Sequence, residues 1–100
     1  MIPVARPVFG DEEIEAVTAV IRSGMIASGD EVTRFEKEYA AYSGVRHCIA
    51  TSNGTTALHA GLLAVGIKPG DEVIVPSFTF IATASSVSMC GAHPVVADVE

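Results

Sequence analysis

The sequence predicts an α/β fold built on a parallel sheet with helices on both faces. Three observations support this prediction. Beyond residue 46 the spacing of apolar residues changes from a helical period to short apolar runs. The run Val73-Ile74-Val75 is continuously apolar, which is typical of a strand buried on both faces of a parallel sheet. Glycine and proline residues punctuate the runs, and helix-length segments separate them.

Residues 1–46 are predicted to form an extended arm followed by two helices. Prolines in the first ten residues disfavour a regular element there. Asp11 is a candidate N-cap for a helix over 11–23, and Asp30 opens a second helix that ends at Gly44. The apolar stripes of the two helices are Ile14, Val17 and Ile21 on the first, and Val32, Phe35, Tyr39 and Tyr42 on the second.

Residues 47–100 are predicted to form a β-α-β-α-β segment. Its strands would be residues 47–51, 72–75 and 94–99, and its helices about 55–65 and 79–90. Three strands alone would leave both sheet edges bare, so we expect the folding unit to be incomplete and the sheet to continue outside this segment.

Composition excludes several classes of function. The net charge is −6 and the pI about 4.9, with six basic residues that form no run, so no nucleic-acid partner is expected. No apolar run approaches the roughly 18 residues of a membrane span, and the N-terminus lacks the apolar core of a signal peptide. Cys48 and Cys90 form no CxxC motif, which favours a reduced, cytoplasmic setting.

The segment Ser52-Asn53-Gly54-Thr55-Thr56 joins a predicted strand to a predicted helix. Free amides at a helix N-terminus attract anions, and Gly54 would allow a close backbone approach. The segment is neither a nucleotide P-loop nor a GxGxxG motif. Two interpretations stay open from these residues alone: a phosphate cradle, or a simple helix cap of Ser, Asn and Thr.

Two aromatic residues follow the next predicted strand, in the segment Pro76-Ser77-Phe78-Thr79-Phe80. Parallel strands place their carboxyl ends at one edge, so this segment should lie near the Gly54 turn. An aromatic ring there can stack on a flat cofactor. The alternative is a core position, which we expect for one of Phe78 and Phe80.

Taken together, these motifs resemble one enzyme family. The sequence is similar to the DegT/DnrJ-type sugar aminotransferases of fold type I, which depend on pyridoxal 5′-phosphate (PLP), and the likeness runs over essentially the whole chain. The segments that carry the resemblance, in chain order, are Arg6-Pro7, 23–29, Phe35-Glu36, 42–44, 52–58, 69–80 and 91–99.

The resemblance implies a function and a set of site residues. Gly54 and Thr55 would bind the phosphate of PLP, and Phe80 would pack on its pyridine ring. Met25 and Ile26, in a loop bracketed by glycines, would lie near the sugar substrate. The implied reaction converts a nucleotide-linked keto-sugar to an amino sugar with an amino-acid donor such as glutamate, in a cytoplasmic homodimer. The chain would then be the N-terminal part of the large, PLP-binding domain.

The catalytic lysine of such an enzyme is expected after residue 100, so no catalytic residue is assigned within this chain and the isolated chain should be inactive. Lys37 and Lys68 are interpreted as surface residues, since lysine is mostly exposed. Asp98 is interpreted as a strand-end residue and not as the partner of the pyridine nitrogen. The three histidines lack metal-ligand spacing, so no metal site is predicted.

Three alternatives remain at this point. A sugar dehydratase of the same superfamily would use pyridoxamine phosphate and carry a histidine in place of the catalytic lysine. A non-catalytic regulatory relative would bind a ligand without turnover. An inactive fragment would require the rest of a larger protein for stability.

Overall fold

A computed structural model describes residues 5–98 of the chain. The elements in chain order are α1 (Asp11–Ser23), α2 (Asp30–Ser43), α3 (Gly54–Ala64), β1 (Glu72–Pro76), α4 (Ala82–Met89) and β2 (His93–Ala97). The chain divides into two compact units, one up to Cys48 and one from Ile49 onward. The predicted arm over residues 1–10 has no regular structure over 5–10, and its first four residues lie outside the described part.

The first unit contains α1 and α2, with the bounds that the sequence predicted. Gly10, and not Asp11, occupies the N-cap position of α1. Its amide donates a hydrogen bond of 2.7 Å to the Oε2 atom of Glu13. This bond from Gly10 lowers the pKa of the Glu13 carboxyl below its ordinary value of 4.5, because it stabilises the charged form. Gly24 and Gly44 end the two helices in left-handed conformation, with φ of 71° and 70°.

The apolar stripes of α1 and α2 lie largely at the surface of the described residues. Val17 is 59% exposed and Phe35 52% exposed. The α2 rings contact one another along the stripe, with centroids of Phe35 and Tyr39 5.7 Å apart and those of Tyr39 and Tyr42 6.3 Å apart. Helices with this periodicity normally bury such stripes, so these surfaces are suited to further protein contacts.

The second unit contains a parallel pair of strands, as predicted. β1 and β2 pair in the register Val73↔Pro94 and Val75↔Val96. Helix α4 connects them and packs on the face that carries Val75, while α3 packs on α4. The small core consists of Val75, Val87, Cys90 and Ala92, with Leu62, Ile67 and Val73 packed against it.

One predicted strand is wrong for the described structure: residues 47–51 form no strand. A strand requires a hydrogen-bonded neighbour, and the described sheet consists of β1 and β2 alone. Side-chain burial nevertheless alternates along the segment, and Ile49 is 81% exposed. On the outer face of the sheet Ile74 is 76% exposed, and no helix among the described residues covers it.

Two further element boundaries differ from the predictions by more than one residue. Helix α4 begins at Ala82, three residues later than predicted, because residues 77–81 form a loop between β1 and the helix. Strand β2 ends at Ala97, whereas the predicted end, Val99, lies outside the described residues.

Candidate functional site

Asn53 caps helix α3 and leaves two backbone amides available. Its backbone is extended, and its Oδ1 atom accepts a hydrogen bond of 3.0 Å from the Thr56 amide. The Ala57 amide donates to the Asn53 carbonyl at 3.1 Å. The remaining amides of the first turn, those of Gly54 and Thr55, make no hydrogen bond within residues 5–98. The turn is therefore a helix cap made by Asn53, and it leaves the amides of Gly54 and Thr55 free to face an anion.

Adjacent threonines in this turn have different surroundings. The Thr56 hydroxyl donates to the Asn53 carbonyl at 2.8 Å and lies 3.3 Å from the Ser52 hydroxyl. The Thr55 hydroxyl makes no hydrogen bond within the described part of the chain. A Cβ atom built on Gly54 would meet no heavy atom within 4 Å, so the space beside its backbone is open to a ligand. Thr55 thus has an unused donor beside the two free amides.

A groove of about 960 Å³ extends from this turn. One wall is the apolar face of α3, formed by Leu58, Gly61, Leu62 and Val65. The groove is also lined by Phe80, Ala82 and Thr83, which follow β1. The lining residues carry no charged side chain, so backbone dipoles would provide the attraction for an anion.

The structure brings Gly54, Thr55 and Phe80 together in this groove, as their positions in the sequence predicted. The Phe80 side chain is 75% exposed, and Phe78, which does not line the groove, is 93% exposed. The expectation that one of these rings belongs to the core is wrong. The loop over 77–81 holds both rings away from the core formed by β1 and α4.

The described lysines lie at the surface. Lys37 is exposed on α2, and Lys68 is exposed in the turn before β1, where its amide donates a 3.0 Å hydrogen bond to the Asp71 carboxylate. Lys68 is therefore at the amino end of β1, whereas Phe80 follows the carboxyl end.

Asp98 directly follows β2 and does not line the groove, in agreement with its interpretation as a strand-end residue. Its Oδ1 atom accepts a hydrogen bond of 3.2 Å from the Ser77 hydroxyl. The pairing of Ser77 with Asp98 was not predicted from the sequence. Its signal was the parallel register, because Ser77 and Asp98 each follow one member of the pair Pro76↔Ala97.

Met25 and Ile26 lie in the first unit and line a separate groove of about 690 Å³ between α1 and the start of α2. Ile26 is 78% exposed and Met25 60% exposed. The Met25 side chain folds over Gly29, where an added Cβ would lie 2.7 Å from Met25 Cγ. Gly29 therefore allows the loop to close on itself, and Ile26 remains the more accessible of the two side chains.

Sequence reasoning missed the walls of the groove at α3. The spacing of Leu58, Gly61, Leu62 and Val65 places them on one helix face, and this period was the available signal. Within residues 5–98, no three His, Cys, Asp or Glu side chains are grouped to hold a metal ion. The helices of the described part are too short or too polar to span a membrane.

The geometry suits a small ligand with a phosphate and a flat ring. Gly54 and Thr55, with two amides and a hydroxyl that have no partner among the described residues, line the same groove as Phe80 and the apolar face of α3. Phosphate would bind at the helix N-terminus and the ring along the apolar surface. The PLP that the resemblance implies has these two parts, so the residues present fit it.

Comparison with known proteins gives a consistent set of matches. The profile of the DegT/DnrJ/EryC1/StrS aminotransferase family matches residues 7–100. A GDP-perosamine synthase from Caulobacter vibrioides is 52% identical over 98 residues, which cover 97% of this chain and 26% of that protein. The chain therefore spans about a quarter of the length of this curated relative.

Solved structures share the fold. The aminotransferase from Psychrobacter cryohalolentis has a TM-score of 0.87 and 42% identity over 98% of this chain and 26% of its own. GDP-4-keto-6-deoxymannose-3-dehydratase, solved with a trapped PLP-glutamate geminal diamine, has a TM-score of 0.85 and 27% identity over 98% of this chain and 27% of its own. The predicted α/β fold, that of a fold type I aminotransferase segment, is confirmed.

Proposed function

Because the chain belongs to the DegT/DnrJ/EryC1/StrS aminotransferase family, we propose that the complete protein is a PLP-dependent sugar aminotransferase. It would convert the keto group of a nucleotide-linked sugar to an amine, with an amino acid such as glutamate as donor. The 52% identity to a GDP-perosamine synthase supports a nucleotide-sugar substrate. The single observation that carries the proposal is the convergence of Gly54, Thr55 and Phe80 on one apolar groove.

The cofactor phosphate would be held at the N-terminus of α3. The amides of Gly54 and Thr55 and the Thr55 hydroxyl would donate to it, and the positive end of the helix dipole would favour its charge. Among the described residues no cationic side chain lines the groove, so the phosphate would be held by these neutral donors in place of the water that solvates it when free. Asn53 and Thr56 would keep the turn in its extended-to-helix conformation.

Phe80 would orient the cofactor ring by packing on it, and the apolar face of α3 would exclude water from the rest of the cofactor. When bound, PLP supplies the electron sink that amino-group transfer requires. The catalytic lysine would come from beyond residue 100. Met25 and Ile26 would contribute to the sugar site, with Ile26 offering the larger accessible surface.

The remaining parts of the proposal concern the complete protein. We propose a cytoplasmic homodimer without nucleic-acid or membrane partners, and residues 47–100 as the first part of its PLP-binding domain after an N-terminal arm and two helices. The apolar stripes of α1 and α2, which are largely exposed among the described residues, support burial against further protein.

A dehydratase is the second candidate, because the similarity to GDP-4-keto-6-deoxymannose-3-dehydratase extends over 98% of this chain. The cofactor groove of this segment would serve either reaction. The two functions differ at the downstream position occupied by lysine in the aminotransferases and by histidine in the dehydratases.

The test is to incubate the complete protein with PLP, record its absorption spectrum, reduce it with borohydride and map the modified peptide. Attachment of PLP to a lysine beyond residue 100, together with formation of an amino sugar from glutamate and a nucleotide-linked keto-sugar, is the expected result. PLP bound without attachment to a lysine would support the dehydratase. Absence of PLP binding would contradict both enzymatic functions.

A further inference from the structure

Two hydrogen bonds fasten the loop after β1 to the end of β2. The Ser77 amide donates to the Ala97 carbonyl at 3.0 Å, and the Ser77 hydroxyl donates to Asp98 Oδ1 at 3.2 Å. The first bond is the last of the parallel ladder and belongs to the pair Pro76↔Ala97. The second is a side-chain contact between residues 21 positions apart in the sequence. It therefore belongs to the tertiary structure and not to a local turn.

The other end of the same loop is fixed by α4. The hydroxyls of Thr79 and Thr83 lie 3.1 Å apart, and the Thr83 amide donates to the Phe80 carbonyl at 3.0 Å. The loop over residues 77–81 is thus anchored on both sides of Phe80. Because the Phe80 side chain is 75% exposed, packing holds it weakly, and the backbone of the loop decides where the ring lies.

We propose that Asp98 is a positioning residue that acts through Ser77. By accepting the Ser77 hydrogen bond it holds the start of the loop against the end of β2, and this sets the place of Phe80 in the groove at the α3 N-terminus. Asp98 does not line the groove itself, so its effect on a ligand there is indirect. The inference rests on the proposed function, because PLP bound beside Phe80 is the reporter.

The experiment uses the complete protein and measures PLP affinity together with the visible circular dichroism band of bound PLP, which reports the asymmetry of its surroundings. We expect Asp98→Ala and Ser77→Ala each to weaken PLP binding about threefold to tenfold, the range for one lost hydrogen bond. Both should reduce the dichroism band. The double variant should be no worse than Asp98→Ala alone, because the bond to the Ser77 hydroxyl is already lost in that variant.

Conservative variants separate positioning from general destabilisation. Asp98→Asn keeps an acceptor oxygen and Ser77→Thr keeps the hydroxyl, so both should retain the affinity and the dichroism band of the wild type. Asp71→Ala is the matched control, because it removes a 3.0 Å hydrogen bond to the Lys68 amide before β1. It should lower the melting temperature without changing the dichroism of bound PLP.

The possible results are distinct. Wild-type affinity and dichroism in Asp98→Ala and Ser77→Ala would overturn the positioning role while leaving the proposed function intact. Equal impairment of Asp98→Asn and Asp98→Ala would also overturn it, because the charge and not the hydrogen bond would then matter. A wild-type protein that binds no PLP would overturn the proposed function and this inference with it.

Discussion

Replacement of Thr55 by valine tests the proposed phosphate contact with the least disturbance to the fold. Valine has nearly the shape of threonine but lacks the hydroxyl donor. In the described structure this hydroxyl has no hydrogen-bond partner. Thr55 is half-buried, but valine fills the same space and no described hydrogen bond is lost, so the stability of the cofactor-free protein should change by less than about 0.5 kcal/mol.

The effect should be confined to the PLP complex. Loss of one hydrogen bond to phosphate corresponds to about 1–2 kcal/mol, which is roughly a 5- to 30-fold increase in Kd. Titration of the cofactor-free complete protein with PLP, followed by absorption, measures this change. Thermal unfolding of the same samples without PLP measures the stability.

Thr56→Val is the matched control. The Thr56 hydroxyl donates to the Asn53 carbonyl at 2.8 Å within the cap of α3. Its loss should lower the stability of the cofactor-free protein by about 1 kcal/mol, as for a weakened helix cap. Unchanged PLP affinity in Thr55→Val would remove Thr55 from the cofactor site. A large loss of cofactor-free stability in Thr55→Val would show that its hydroxyl has a structural role instead.

Three further predictions address the aromatic ring, a turn and a helix end. Phe80→Ala should weaken PLP binding by about 1 kcal/mol, the scale of one aromatic contact. Phe78→Ala, outside the groove, should leave the PLP titration curve unchanged. Equal effects of the two substitutions would contradict a specific contact between Phe80 and PLP. Gly66, just after α3, has a φ of 90°, so Gly66→Ala should lower the free energy of unfolding by about 1 kcal/mol because alanine is strained in this conformation. Gly91 has a φ of 73°, and an added Cβ there would also lie 3.0 Å from Cγ of Pro69. Gly91→Ala should therefore lower the free energy of unfolding in denaturant by more than Gly66→Ala, and equal losses would contradict the contact with Pro69. The pKa of the Glu13 carboxyl, measured by NMR titration, should lie below 4.5. Its contribution to stability is then present above that pH and is lost as the pH falls through the folded-state pKa. A measured pKa at or above 4.5 would contradict the hydrogen bond to this carboxylate.

The sequence predicted the helices of the first unit to within a residue, because their signals are local. Asp30 at the start of α2 and the glycines that end both helices act within one turn of their own positions. Continuously apolar runs predicted the parallel strands β1 and β2. The strand predicted over 47–51 is absent because a strand requires a hydrogen-bonded partner, and local composition does not determine whether one is present.

The candidate site was predictable where residues lie next to an element boundary. Gly54 and Thr55 begin a helix after a turn, and Phe80 follows a strand, so sequence position marked them as candidates; the packing of α3 on α4 brings them to one groove. The apolar wall that α3 forms could have been predicted from the helical spacing of its lining residues. The different hydrogen bonding of Thr55 and Thr56 could not be predicted from residue type, because both are threonines beside the same cap.

The sequence alone therefore determined the class of fold, the ends of the first two helices and the resemblance to sugar aminotransferases, since these depend on residue type and short-range order. The tertiary structure decided that Phe78 and Phe80 both lie outside the core and that Ser77 meets Asp98. Those outcomes depend on the path of a loop between two anchors and on the register of two strands, which no local residue pattern specifies.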